Sequence, residues 1–186
     1  HADYNVAMGN SALGADVKGH KSTAIGYASL NAQSFSSSTD SHNTAVGYYS
    51  GVAITTGDQN TLVGSLAGDA LTTGNKNAVL GYQALSGGTT YDGNTAIGYQ
   101  ALLVANNTDG PDGNNTAVGA SAGNAVTTGL KNVIIGVSSA PSLTTGTDNI
   151  CVGRQADVSA SGAANQITIG IDINAGGNNN FSFGKA

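Results

Sequence analysis

The sequence has no glutamate and no tryptophan, one cysteine, two prolines and only six basic residues. Each shortage removes a class of protein. Phosphate recognition needs clustered Lys and Arg, so six basic residues in a chain of net charge −5 make nucleic acid a poor partner. Cys151 stands alone, so no intrachain disulfide forms. No apolar run reaches the 18 residues that would span a bilayer, and membrane insertion is not expected. The first residues lack a basic-then-apolar signal segment, and His1 reads as an edge inside a longer protein. Charged residues make up 9% of the chain against about a quarter in an ordinary domain. That scarcity also argues against charge-driven disorder.

What is abundant is Gly, Asn, Ser and Thr, which supply 28, 20, 18 and 19 of the 186 residues. All four rank poorly in helix interiors. An extended, turn-rich structure held by its backbone is the expectation, and an internal repeat defines it. A phrase of the form Asn-Thr-Ala-(Ile/Val)-Gly recurs from end to end, with its glycine at Gly9, Gly26, Gly47, Gly64, Gly81, Gly98, Gly119, Gly136, Gly153, Gly170 and Gly184. The step is 17 residues, except for two steps of 21 and a last one of 14. The longer steps read as loop insertions, near residues 33–42 and 106–114, on a coil of constant size.

Other columns keep phase with the glycine. Four residues before it stand Asn43, Asn60, Asn77, Asn94, Asn115, Asn132 and Asn149, with Ser22 and Gln166 as exceptions. A sizeable apolar residue directly precedes the glycine, and Ala is frequent before that. Farther on come threonine pairs such as Thr55-Thr56, Thr72-Thr73 and Thr127-Thr128, preceded by Ile54, Leu71 and Val126 and followed by Gly57, Gly74 and Gly129. Each unit reads as two short strands separated by two turns. Seventeen residues suit one rung of a flattened parallel β-solenoid, an all-β single domain over 1–186 with about eleven rungs. At ~4.8 Å per rung the rod is roughly 50 Å long.

Stacking places like over like. Asn over Asn forms amide ladders, and Thr over Thr shares hydroxyl bonds. The glycines Gly47, Gly64, Gly81, Gly98, Gly119, Gly136 and Gly153 suit a positive φ or a close backbone approach. The first strand is apolar on both faces, as strands buried on both sides are. A thin rung has only one interior, so the second face is expected to meet another copy of the chain, in a closed cyclic homo-oligomer.

Asn-Thr-Ala-Ile-Gly-Tyr-Gln-Ala-Leu at 94–102, with Thr-Thr-Gly-Asn-Lys-Asn at 72–77, resembles the repeat of many phage tail-fibre proteins. It is also similar to the head repeat of trimeric autotransporter adhesins, the YadA-like heads. The resemblance runs from Asn5 to Gly184. It implies a left-handed parallel β-roll, three chains about one axis, and a structural and adhesive role. That role is the rigid segment of a tail fibre in the extracellular virion, touching a glycan or protein receptor on a bacterial surface. A bacterial cell-surface adhesin head is the alternative. The stretch 178–186 resembles the segment that precedes an endosialidase-type chaperone domain in such fibres. The unit here is longer than the adhesin repeat, and the rung around residue 154 carries Ser161-Gly162 in place of a threonine pair.

Chemistry-bearing residues are sparse. His1, His20 and His42 sit near no nucleophile elbow or zinc-ligand spacing. Carboxylates lie singly in loops, so no enzymatic role and no metal or other cofactor is expected. The Asp-rich insertion around Asp109 and Asp112 has the oxygen density of a calcium loop without its fixed spacing or bidentate Glu, and reads as a turn. Insertions on a solenoid often form its binding face, which makes Ser37, Asp40, Asp109 and Asp112 receptor-contact candidates. So are Tyr27, Tyr48, Tyr82 and Tyr99, one after each of four repeat glycines, which suit sugar stacking or a protein contact as well as a core edge. Regular threonines also occur on ice-binding solenoids. Adjacent threonines in a strand point to opposite faces, however, so only one of each pair faces out.

Overall fold

The computed structural model describes residues 2–106, 110 and 112–184. Among them no helix forms. The strands are β1 (Val6–Met8), β2 (Gly19–His20), β3 (Thr23–Ile25), β4 (Thr39–Asp40), β5 (Thr44–Val46), β6 (Thr61–Val63), β7 (Ala78–Leu80), β8 (Thr95–Ile97), β9 (Thr116–Val118), β10 (Val133–Ile135), β11 (Ile150–Val152), β12 (Ile167–Ile169) and β13 (Phe181–Phe183). Eleven of them form one parallel sheet in chain order, with only β2 and β4 outside it. The chain is a parallel β-solenoid whose repeat columns coincide in space: Thr44 pairs with Thr61, Ala45 with Leu62 and Val46 with Val63, and so on along the rod.

Three-residue strands alternate cleanly. The middle residue points inward (Ala24, Ala45, Leu62, Val79, Ala96, Ala117, Ile134, Cys151, all buried), while its two neighbours face outward. Opposite the strand, Ile54, Leu71, Val126 and Leu143 close the interior. Volume is balanced between columns, as close packing requires. Where the inward strand residue is Leu62, the position six residues later is Gly68; where it is Ala96, that position is Leu102. A Cβ on Gly68 would lie 2.9 Å from Leu62 Cδ2.

The repeat glycine is needed on two counts. Gly98 has φ +136°, and a Cβ there would stand 2.4 Å from the carbonyl oxygen of Gly119 in the next rung. The Asn column is a continuous buried ladder from Asn43 to Asn149. Asn77 shows the unit. Its backbone N–H and Nδ2 both donate to Asn60 Oδ1 at 3.0 Å, and Nδ2 also donates to the Tyr91 carbonyl at 2.8 Å. Its own Oδ1 receives the Asn94 N–H and Nδ2 at 2.9 and 3.1 Å. Every polar atom of these buried amides is thereby satisfied, which burial demands.

The threonine segment differs from expectation in two respects. It is a bend rather than a second strand. Thr55, Thr72, Thr127 and Thr144 do donate their N–H groups to the next rung at 2.8–2.9 Å. The N–H groups of Thr72 and Thr73, however, converge on the single carbonyl of Thr89, so the backbone turns where a ladder would run straight. The hydroxyls also pass over one another: Thr72 Oγ1 donates to the Thr89 carbonyl at 2.9 Å, and Thr55 Oγ1 to the Thr72 carbonyl at 3.2 Å. A carbonyl with a spare lone pair lies closer to hand than the next hydroxyl.

Candidate functional site

The repeat glycine turns the chain out of the strand, and the residue after it stands at the surface. Tyr27, Tyr48, Tyr82 and Tyr99 are 46%, 53%, 45% and 52% exposed. Rung stacking brings them together in pairs. The rings of Tyr27 and Tyr48 lie 5.5 Å apart at 16°, and those of Tyr82 and Tyr99 lie 5.8 Å apart at 13°. Tyr49 joins the first pair, edge-on to Tyr48 at 4.5 Å. Between the pairs the column holds Ser65, and no ring contact bridges it. One residue farther on, Gln100 Nε2 donates to Gln83 Oε1 at 2.9 Å, a second polar ladder beside the lower pair. Tyr49 and the two glutamines escaped the sequence reading. The repeat itself was the available signal, since all three occupy one column.

The first insertion carries its own small parallel pair, Gly19 to Thr39 and His20 to Asp40. Ser37 is exposed, and Phe35 is buried beneath the loop. His20 is buried too; it accepts the Asp3 N–H through Nδ1 at 2.9 Å, and its Nε2 lies 2.6 Å from Ser38 Oγ. Asp40 is exposed and ion-paired to Lys21 at 2.7 Å, which holds its carboxyl below the usual carboxylate range. In the second insertion, Asp112 is exposed and bridges Asp92 of the rung before, and Asp109 lies outside the described residues. Among the described residues, no hydrogen bond or ring contact links the tyrosine column to either insertion. Two separate surface regions result.

A surface cleft of about 220 Å³ is lined by Pro141, Gln155, Asp157, Asp172 and Asn174. Its Asp172 pairs with Arg154, and Asp157 accepts the backbone N–H groups of Ser142 and Val158. Burial pushes the Cys151 thiol up to about 12, helped by the nearby Asp157, so it stays protonated and unreactive at neutral pH. Across the register from it lies Thr168, whose Oγ1 is buried with no partner beyond that thiol. Tyr91 stands where other rungs carry a glycine after the threonine pair. Its ring is buried, its hydroxyl donates to the Gly129 carbonyl at 2.5 Å, and burial raises its pKa to about 12. Among the described residues, no three or more His, Cys, Asp or Glu side chains gather as metal ligands. Among the same residues no helix is long and apolar enough to cross a membrane. The first threonine of most pairs spends its hydroxyl on a carbonyl, leaving the second (Thr56, Thr73, Thr145) as the exposed rank.

No family model, curated protein or solved structure matches the chain.

Proposed function

We propose that the chain is the structural and adhesive segment of a phage tail fibre, a homotrimeric rod that takes part in binding a bacterial surface. The observation that carries this reading is the outer face of the eleven-stranded sheet. Leu80, Ile97 and Ile135 are 49%, 36% and 39% exposed in the single chain, and Met8 and Phe183 extend the same column to both ends, with exposed Val6 and Phe181 beside them. A sheet face bathed in water is normally polar, and a long apolar stripe marks a contact surface. A second and third copy would cover it with the same stripe, as closed symmetry favours. The threefold count, the virion location and the phage assignment rest on the repeat's resemblance to tail-fibre sequences. The adhesion mechanism is then avidity: three weak contacts on one stiff body act together.

Light scattering is expected to return three times the 18.2 kDa chain mass. Ile97→Asp puts a charge into the covered face, and its sample is expected to dissociate or melt earlier. A monomeric wild type, or an Ile97→Asp variant with unaltered mass and melting, removes the trimer. Fluorescently labelled rod is expected to attach to some members of a panel of whole bacterial cells and to show no thermal hysteresis. Hysteresis without attachment would move the reading to an ice-binding solenoid.

A further inference from the structure

The interruption of the tyrosine column defines a shape. Hydrogen bonds fix the order of the rungs: Leu66 N–H to the Tyr48 carbonyl at 2.9 Å, and Gln83 N–H to the Ser65 carbonyl at 3.2 Å. Tyr48, Ser65 and Tyr82 therefore occupy one column in three successive rungs. Tyr27 covers one face of Tyr48, and Tyr99 covers one face of Tyr82. Between these two stacked pairs the column holds only the short side chain of Ser65, which is half-buried and open to solvent. Two rung spacings separate them, about 9.6 Å along the axis.

We infer that this slot between Tyr48 and Tyr82 is a clamp for one pyranose ring of a surface glycan. The width selects the occupant. A flat ring held at van der Waals contact on both sides fills about 7–8 Å and would lie loose. The carbons of a pyranose chair alternate above and below its mean plane, with C–H groups directed at both walls, and this extra thickness takes up the slack. Aromatic faces carry negative charge density that suits such C–H groups. The rim supplies what an apolar sandwich lacks. Among the described residues the Gln83 amide nitrogen donates to nothing, since its oxygen alone is used by Gln100, and the Ser65 hydroxyl makes no hydrogen bond. A few convergent polar groups around an apolar contact are how small-molecule sites orient their ligand. Tyr49, edge-on behind Tyr48, limits the tilt of that wall. The clamp rests on the adhesive-rod reading and specifies its receptor as carbohydrate.

The test is saturation-transfer NMR on the whole chain with cellotetraose, whose rings present axial C–H groups on both faces. Transfer to those axial protons is expected in the wild type and in Tyr4→Ala, which removes a distant exposed tyrosine. Ser65→Tyr completes the aromatic column and fills the slot, and Tyr82→Ala removes one wall. Both are expected to reduce transfer at least tenfold. Ser65→Tyr is expected to retain the wild-type melting temperature; should it misfold, Tyr82→Ala decides. The clamp is overturned by no transfer in the wild type, by full transfer in Ser65→Tyr or Tyr82→Ala, or by stronger transfer to indole than to the sugar. A Ser65→Tyr variant with altered assembly mass also overturns it, because a second copy would then be the occupant. Mass and whole-cell attachment are measured on the same samples. A trimer that attaches to cells but gives no transfer ends the clamp alone; a monomer with slot-dependent transfer ends the rod and keeps the clamp.

Discussion

Two insertions of equal length disturb this solenoid in different ways, and the difference lies in one pair of side chains. In both, the residues just upstream of the Asn column pair at an offset of 20 (His20 with Asp40, Asp92 with Asp112), while the column itself is offset by 21. One extra residue must therefore be stored next to the ladder: Ser41 in the first insertion, Gly113 in the second. Asn94 keeps its amide in place, and a Cβ on Gly113 would sit 2.5 Å from both Asn94 Nδ2 and Oδ1. Only glycine fits, and the ladder continues unbroken from Asn94 to Asn115 at 3.1 and 3.2 Å. In the first insertion the column holds the shorter Ser22, and Ser41 uses the vacated room to bond Ser22 Oγ at 2.7 Å and the His20 carbonyl at 2.9 Å. The missing amide is supplied from across the rung by buried Gln33, whose Oε1 accepts from Asn43 Nδ2 at 2.9 Å. An Asn with a Gly, or a Ser with a Ser and a borrowed Gln, are two solutions to one volume and one set of hydrogen bonds.

The largest effect is expected from Asn94→Ser, which imports half of the first solution without its partners. It strands the Asn115 N–H, takes from Asn115 Nδ2 one of its two acceptors while leaving the Gly129 carbonyl, and deprives Asn77 Oδ1 of one of its two donors. At about 1–3 kcal/mol for each buried group left unpaired, a loss of roughly 3 kcal/mol follows, read from urea unfolding. Gly113→Ala drives a methyl into the same amide and is expected to cost about 1–3 kcal/mol, with equal melting in the variant and wild type refuting the volume argument. Ser22→Asn is expected to lose about 1–2 kcal/mol because Ser41 and Gln33 already fill the space. Combining it with Ser41→Gly and Gln33→Leu rebuilds the second solution and is expected to recover most of that loss. A triple variant less stable than the single one would show that the two insertions are not interchangeable.

The smallest effect concerns alkali. Tyr91, buried beside the second insertion, has its pKa raised from 10.0 to about 12. A raised acid is favoured in its neutral form by the fold, so this contribution is intact below pH 10 and is lost as pH climbs toward 12. Cys151, raised from 9.0 to about 12, acts in the same direction from a lower starting pH. Melting temperature is expected to decline from pH 9 upward, less steeply in Tyr91→Phe and Cys151→Ala. Parallel curves for all three proteins would show that neither group responds to the fold's burial.

Much of this was legible before any coordinates, because a solenoid converts sequence period directly into spatial neighbourhood. The Asn column could be read as a ladder and the glycine column as a place without room for a Cβ, and Asn77 and Gly98 occupy such places. The threonine segment misled, since its pattern of apolar residue, Thr and Thr is equally that of a strand and of a bend whose N–H groups share a carbonyl. The ring pairing of the tyrosines follows from the period, but the space between them depends on how little room the short side chain of Ser65 fills. Gln33 lay hidden because most rungs place an apolar residue at its position (Ile54, Leu71, Val126, Leu143) and because it acts across the rung.

By itself, then, the amino-acid order determined the rung length, the residues stacked on each other and the chemistry of each column, because those depend only on distance along the chain. The tertiary structure decided what is settled across the rung: which large residue faces which glycine, how Ser41 and Gly113 are stored, and which amide completes a broken ladder. Those choices depend on volume and hydrogen-bond geometry between segments that no period relates.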